Sequence, residues 1–358
     1  MSAKKPRISF LAGAGLSMSA DLPSAVGIAE KFKAACCAQD PLVEDVPNAL
    51  LAEALRFLNG GIRFQRGILN QDPDQPLNIE EIANAALRLK SRMSNPIAAY
   101  ASGWHSRLIE LESRHPKLLD IFTDAIYDQL AKWLATPAPD KCDYLARVQE
   151  FLFAGYTVNF FTLNYDLLLE SALKSRDHPF SNGMDLTRAE WSPDTFVDDG
   201  CLRLFKLHGS LDWVDHELYG ICSLEFPRHG KAEEFEGDQR PLIIFGTDQK
   251  LTSKEPFLSL LYHFSYEIKR SDVVVIIGYS FGDSHLNEIL LQRLKENLRM
   301  KVLIVHPSGP KIVTKLPDIH GNPRVRFVES KAKEAFNDGL IFQGCKALLA
   351  EISEEKPF

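Results

Sequence analysis

The chain predicts an α/β fold: a Rossmann-like, mostly parallel sheet with helices on both faces and a large helical insertion after the first βα unit. Three observations carry this. Short apolar runs recur, most plainly VVVII at Val273–Ile277; unbroken β-branched runs mark strands covered on both faces. Helical repeats separate those runs, as βαβ units require. Four short patterns follow in fixed order: GAGLS (Gly13–Ser17), TLNYD (Thr162–Asp166), KLHGS (Lys206–Ser210) and GYSFGD (Gly278–Asp283). Loops at the ends of parallel strands converge on one edge of the sheet, where ligands bind.

The elements follow in order. Arg7–Ala12 is an apolar run ending in glycines and predicts a buried strand. Pro23 and Ser24 precede a helix from about Ala25 to Ala38. Residues 40–150 change character: Ala, Leu, Glu and Arg dominate, and prolines cut the stretch into several helices. Asn78 and Glu81 make a capping box, with Ile79, Ile82, Ala83, Ala86 and Leu87 on one helical face. Strands are predicted at 156–162, 201–207, 242–245, 273–277, 301–305 and 325–328. Helices are predicted at about 166–174 and 257–269, along Leu286, Ile289, Leu290, Leu294 and Leu298, and at about 331–351. Residues 215–240 are polar and predict a connecting excursion.

Composition bounds the partners. The 358 residues are 45% hydrophobic and 25% charged, ordinary for a globular protein. The length suits two or three average domains, or one large domain with an insertion. The formal charge of −7 gives no global attraction to nucleic acid. The six cysteines include no CxxC pair, which predicts reduced thiols and no metal site. No signal-peptide pattern and no apolar run of membrane-spanning length is read, so a cytoplasmic chain without membrane contact is expected.

The loops carry the chemistry. Gly13 and Gly15 permit a sharp turn and close backbone approach, and a helix start behind them offers amides to a phosphate. The same residues also make a plain strand-to-helix turn. GAGLS is not the dehydrogenase fingerprint, because the third glycine of GxGxxG would fall at Met18. Asn164 both donates and accepts, which suits a ribose hydroxyl or a water. Asp166 and Asp283 suit a hydroxyl or a helix cap. His208, before Gly209, is a candidate general base or a structural histidine. Ser280 suits a phosphate or ribose.

The four patterns together resemble the sirtuin (silent information regulator) superfamily. GAGLSMSADLP resembles its GAGxS segment, TLNYD its TQNxD segment, KLHGS its His-Gly strand end and GYSFGD its Gly-x-Ser loop; PLIIFGT from Pro241 is a looser match. The chain departs where deacylase sirtuins carry Pro-Asp-Phe-Arg, here Leu22-Pro23-Ser24-Ala25-Val26. It also lacks their two CxxC pairs; only Cys222 lies in that stretch. It therefore looks more like the zinc-free branch of bacterial antiphage defence.

The resemblance implies a Sir2-like NAD-binding domain over residues 1–358, with NAD+ as substrate and no metal. Asn164 and His208 would be catalytic. The pyrophosphate would lie near Gly13, Ala14, Gly15 and Ser17. Ala12, Pro23, Thr162, Asp166, Gly278, Tyr279, Ser280 and Asp283 would line the rest of the site, with His306 at the adenine ribose. The activity implied is a regulated NAD+ glycohydrolase that depletes the cell's NAD. A protein deacylase and a catalytically silent NAD- or ADP-ribose-binding subunit are the alternatives. A homo-oligomer and a regulatory partner, an ATPase or a nucleic-acid-binding protein, are expected, with the helical insertion as the assembly surface.

Overall fold

The computed structural model describes residues 5–44, 46–91, 104–135, 138–185, 187, 190–216, 220–224, 240–245 and 254–354. Its strands are β1 (Arg7–Ala12), β2 (Thr157–Thr162), β3 (Phe180–Ser181), β4 (Met184–Asp185), β5 (Glu190–Trp191), β6 (Leu202–Lys206), β7 (Trp213–His216), β8 (Gly220–Ser223), β9 (Val273–Ile277), β10 (Lys301–Val305) and β11 (Val325–Val328). Seven of them form one parallel sheet in the order β11-β10-β9-β1-β2-β6-β3. Set aside the two-residue edge strand β3, and the rest read 3-2-1-4-5-6 in chain order. That is the doubly wound order of dinucleotide-binding sheets, and it reverses between β1 and β9.

The sheet is covered on both faces. Every residue of β2, β6, β9 and β10 is buried, as is all of β1 except Arg7. Successive strand residues point to opposite faces, and Phe160 and Phe161 show where each leads. Phe160 stacks on Phe10 of β1 at 5.2 Å, and Phe10 meets Phe151 of the helix Gln149–Phe153 edge-on at 5.3 Å. Phe161 stacks on Phe205 of β6 at 4.6 Å and meets Phe264 of the helix Phe257–Arg270 at 5.1 Å. The registers Phe10↔Phe160 and Phe161↔Phe205 make both stacks cross-strand pairs.

Two compact units divide the chain: residues 1–22 with 136–358, which hold the sheet, and residues 23–135, which are helical. The helical unit contains Ala25–Cys36, Asn48–Ile68, Ile79–Lys90, Trp104–Arg114 and Leu118–Trp133. Ser24 caps the first helix by accepting from the Gly27 amide at 3.1 Å. The Asn78–Glu81 capping box forms in both directions, at 2.9 and 3.0 Å. Ile79, Ile82, Ala83 and Ala86 are buried, with Leu87 half-buried at the edge of that face. Helix Ala25–Cys36 packs on its own neighbours in this unit, Phe32 meeting Phe122 edge-on at 5.4 Å. The unit therefore starts at 23 rather than 40. It ends at Ala135, and the short helices that follow, Pro139–Cys142, Asp143–Val148 and Gln149–Phe153, pack on Leu168–Lys174 or β2 of the sheet-bearing unit.

Other elements differ from the sequence reading. Residues 242–245 form no strand; Ile243 makes only an isolated bridge to Gly209. The polar excursion begins as the β7–β8 hairpin, while 225–239 lie outside the described residues. Leu298 falls beyond the helix Ser284–Glu296 and is 70% exposed. The last helix is two, Ala332–Asn337 and Leu340–Glu354, broken at Gly339 with φ +69°, a conformation that glycine adopts without penalty. The short strands β3, β4 and β5 carry too few residues for any periodicity to show.

Candidate functional site

The loops after β1 and β9 meet at the point where strand order reverses. Gly13 donates its amide to the Ile277 carbonyl at 3.1 Å, and Gly15 donates to Gly278 at 2.8 Å. A Cβ on Gly15 would lie 2.7 Å from Gly278 Cα, and one on Gly278 only 2.3 Å from the Leu16 nitrogen. These glycines therefore let two loops pack backbone to backbone. The helix behind GAGLS is five residues, Ala14–Met18. Its Leu16 amide donates to Gly13 at 2.9 Å. The amide cradle expected for a phosphate is thus partly engaged within the protein in this conformation. Gly278 also sits at φ +61°. Gly278→Ala is expected to cost at least about 1–3 kcal/mol from backbone strain and collision, read as a lowered urea midpoint.

The second loop ties itself to the first. Asn164 donates both Nδ2 protons, to the Gly13 carbonyl at 3.1 Å and to Ser17 Oγ at 2.8 Å. Ser17 Oγ donates to Asp166 Oδ2 at 2.6 Å, and Asp166 Oδ1 accepts the Leu168 amide at 3.2 Å. Thr162 Oγ1 accepts the Asn164 amide at 3.1 Å. Gly13, Ser17, Thr162, Asn164 and Asp166 thus form one hydrogen-bonded chain, in which, among the described residues, the Asn164 carbonyl oxygen is left as an acceptor. Tyr144, which no sequence pattern singles out, donates to the Leu16 carbonyl at 2.6 Å. Burial, with the nearby Asp166 carboxylate, raises its phenol above the usual range.

Beneath this loop lies an ion pair that the sequence reading passed over. Lys206, with no exposed surface, donates to Glu170 Oε1 at 2.9 Å, to the Asp166 carbonyl at 2.6 Å and to the Tyr165 carbonyl at 3.3 Å. All three ammonium protons are used. Burial pushes the Glu170 carboxyl up, and Lys206 opposes the shift. The signal was a lysine among apolar residues in LRLFKLHG; its partner lies in a distant helix that no spacing rule names.

His208 stands past the end of β6, beside the loop from β2. Its Nε2 lies 3.2 Å from Asp283 Oδ2, and both side chains are buried. Asp283 also caps the helix Ser284–Glu296, accepting the amides of His285 at 3.1 Å and Leu286 at 3.3 Å. The carboxylate therefore holds the proton on Nε2 and leaves Nδ1 as the base nitrogen. Among the described residues Nδ1 is buried with no hydrogen-bond partner. A recess of about 20 Å³, bordered by His208, Asp283, Ile244 and Phe257, adjoins the ring; it has room for about one water. Asn164 does not border that recess. The two side chains sit at equivalent positions two residues past the pair Thr162↔Lys206, and the Tyr165 ring, 6.5 Å from the imidazole, follows Asn164 directly.

Gly209 has φ +85°, and a Cβ there would lie 1.9 Å from the Leu242 carbonyl. Gly209→Ala is expected to prevent the native docking of 240–245 on the His208 loop, read as loss of folded soluble protein.

The remaining predicted residues are placed as follows. Ala12 is the buried end of β1, and Ala14 is exposed on the glycine loop. The Tyr279 hydroxyl is buried, donating to Asn287 Oδ1 at 2.9 Å and accepting the Asp283 amide at 3.2 Å, so it orders the Asp283 turn. Ser280 is exposed. His306 Nδ1 accepts the Ser308 amide at 3.0 Å, and burial lowers its pKa. Pro23 opens the helical unit. Among the described residues no three His, Cys, Asp or Glu side chains gather as a metal-binding group, and no helix is long and apolar enough to cross a membrane.

No curated protein sequence matches the chain. Among solved structures it resembles a triple mutant of a Sir2 homologue in complex with 2′-O-acetyl ADP-ribose, at 18% identity and a TM-score of 0.44, over 97% of this chain and 94% of that one. A Sir2 homologue–NAD complex gives 17% identity and a TM-score of 0.44, over 97% and 92%. Over residues 158–321, from β2 through the loop after β10, the chain matches the family model of the SIR2-like domain.

Proposed function

We propose that the chain binds NAD+ across the loops after β1, β2, β6 and β9 and hydrolyses its nicotinamide–ribose bond, releasing nicotinamide and ADP-ribose. The observation that carries this reading is His208, held at Nε2 by Asp283 with Nδ1 buried and unpartnered among the described residues, beside the loop that bears Asn164. Cleavage of the bond to C1′ leaves oxocarbenium character on the sugar. Nicotinamide departs as a neutral molecule from a cationic pyridinium and needs no acid. The Asn164 carbonyl oxygen orients the water or a ribose hydroxyl. His208 Nδ1 takes the water's proton as the new C–O bond forms. Asp283 fixes the tautomer and balances the imidazolium.

An unrestrained enzyme of this kind would empty its host's NAD pool. We therefore place the activity in a regulated, NAD-depleting effector of antiphage defence, acting with a regulatory partner. Chromatography of NAD+ and its products, with and without an acyl-lysine peptide, tests the reaction: hydrolysis without peptide supports it, and nicotinamide release only with peptide shifts the assignment to a deacylase. NAD+ binding without turnover, with the activating partner present, leaves a binding subunit. Asp283→Asn gives a second check. Asparagine caps a helix about as well as aspartate, so stability should fall by less than about 1 kcal/mol. Turnover should fall on the order of 10²-fold, because the amide does not hold the imidazole in one tautomer. Equal losses of both would make the contact purely structural.

A further inference from the structure

The turn from Gly278 to Asp283 touches both ends of the proposed site. At its start the Gly278 carbonyl accepts the Gly15 amide at 2.8 Å. At its end Asp283 Oδ2 lies 3.2 Å from His208 Nε2. Two of its residues sit in the left-handed region, Gly278 at φ +61° and Phe281 at φ +58°. Glycine adopts that conformation freely. A bulky side chain keeps it only where the surroundings over-determine it. The residue that does so stands in the helix Ser284–Glu296. Asn287, buried there, donates from Nδ2 to the Phe281 carbonyl at 2.8 Å. That carbonyl needs a donor, so the amide orientation is set, and Asn287 Oδ1 accepts the Tyr279 hydroxyl at 2.9 Å. The same hydroxyl accepts the Asp283 amide at 3.2 Å, and the Phe281 ring lies 5.0 Å from the Tyr279 ring. One carboxamide thus grips the turn on both sides of Ser280.

The helix does not need Asn287 in order to start. Asp283 Oδ1 already caps it, accepting the amides of His285 and Leu286. What the brace adds is direction. The cap occupies one carboxylate oxygen, and the other reaches His208 only while the backbone before it keeps its course. A Phe281 relaxed to negative φ would swing the peptide that follows it and carry Asp283 with it. We propose that Asn287 is a positioning residue: it holds Phe281 left-handed and so keeps Asp283 Oδ2 on His208 Nε2. Its consequence for turnover rests on the roles given above to His208 and Asp283, whereas the geometry itself is testable without turnover.

Nitrogen NMR of the histidine rings in the full chain, at a pH where the imidazole is neutral, tests it. The His208 signals are identified by their loss in His208→Gln. Wild type should show His208 in the Nε2–H form alone. Asn287→Leu keeps a similar volume, and the Tyr279 hydroxyl can still donate to the Asp283 carbonyl at 3.1 Å, so circular dichroism should not change. Asn287→Ala, with the strongest helix former, serves if leucine does not fit. Either variant should show a mixture of both His208 tautomers. The kcat for NAD+ should fall on the order of 10²-fold, as displaced catalytic groups cause, with KM nearly unchanged. Adding Phe281→Gly to Asn287→Leu should restore the single tautomer, because glycine holds positive φ without a brace. A mixture already present in wild type, a folded Asn287→Leu protein with the wild-type tautomer, or a double variant as mixed as the single one would each overturn the proposal. Tautomers that behave as expected in a chain without NAD+ turnover would support the positioning and count against the assigned reaction.

Discussion

Replacing His208 with alanine is expected to slow nicotinamide release from NAD+ by about 10²–10⁴-fold, the range a positioned general base supplies. The ring is buried, so its loss also removes packing and the Asp283 contact. His208→Gln separates these effects. Its side-chain amide can still donate to Asp283, yet it offers no base at the Nδ1 position. If the base matters, both variants lose turnover to similar extents while the glutamine variant keeps more of the wild-type stability. Near-normal turnover in a folded His208→Gln protein, under conditions where wild type is active, would remove His208 from the chemistry.

The largest expected loss of stability follows from Lys206→Met. The substitution keeps most of the volume but strips the buried Glu170 carboxyl of its counterion and leaves the Asp166 carbonyl without its donor, while the Tyr165 carbonyl keeps the Leu211 amide at 3.0 Å. Breaking a buried pair in this way costs about 3–5 kcal/mol. Burial already raises the Glu170 pKa, so without Lys206 the carboxyl takes up a proton rather than stay charged. Removing the acid as well, in Lys206→Met with Glu170→Leu, is expected to recover part of the loss, because no carboxyl is then left without a counterion. The Asp166 carbonyl remains without its donor and keeps recovery incomplete. Urea unfolding of wild type, the single variant and the double variant measures this. A single variant as stable as wild type would mean that Lys206 contributes no more than its packing.

The fold was legible where physics is local. VVVII needs cover on both faces and became β9; the Asn78–Glu81 box needs only a three-residue spacing, and it formed. Leu298 misled because helical spacing continues past Glu296 by coincidence, while the helix has already ended there. Leu242–Phe245 misled because an apolar run says nothing of its partner, and these residues dock beside Gly209 without pairing along a strand. Within the site, the four patterns marked the loop residues that the sheet order assembles. What they could not convey was commitment over distance: Ser17 to Asp166, Lys206 to Glu170 and His208 to Asp283 span separations that only the folded topology sets.

The contact between the glycine loops has a consequence for how a ligand enters. The Gly15 amide proton is held by the Gly278 carbonyl, so a dinucleotide that claims that proton must first prise the two turns apart. The exchange of that single amide with deuterium is therefore an internal gauge of the opening, fast when the turns separate and slow when they rest together.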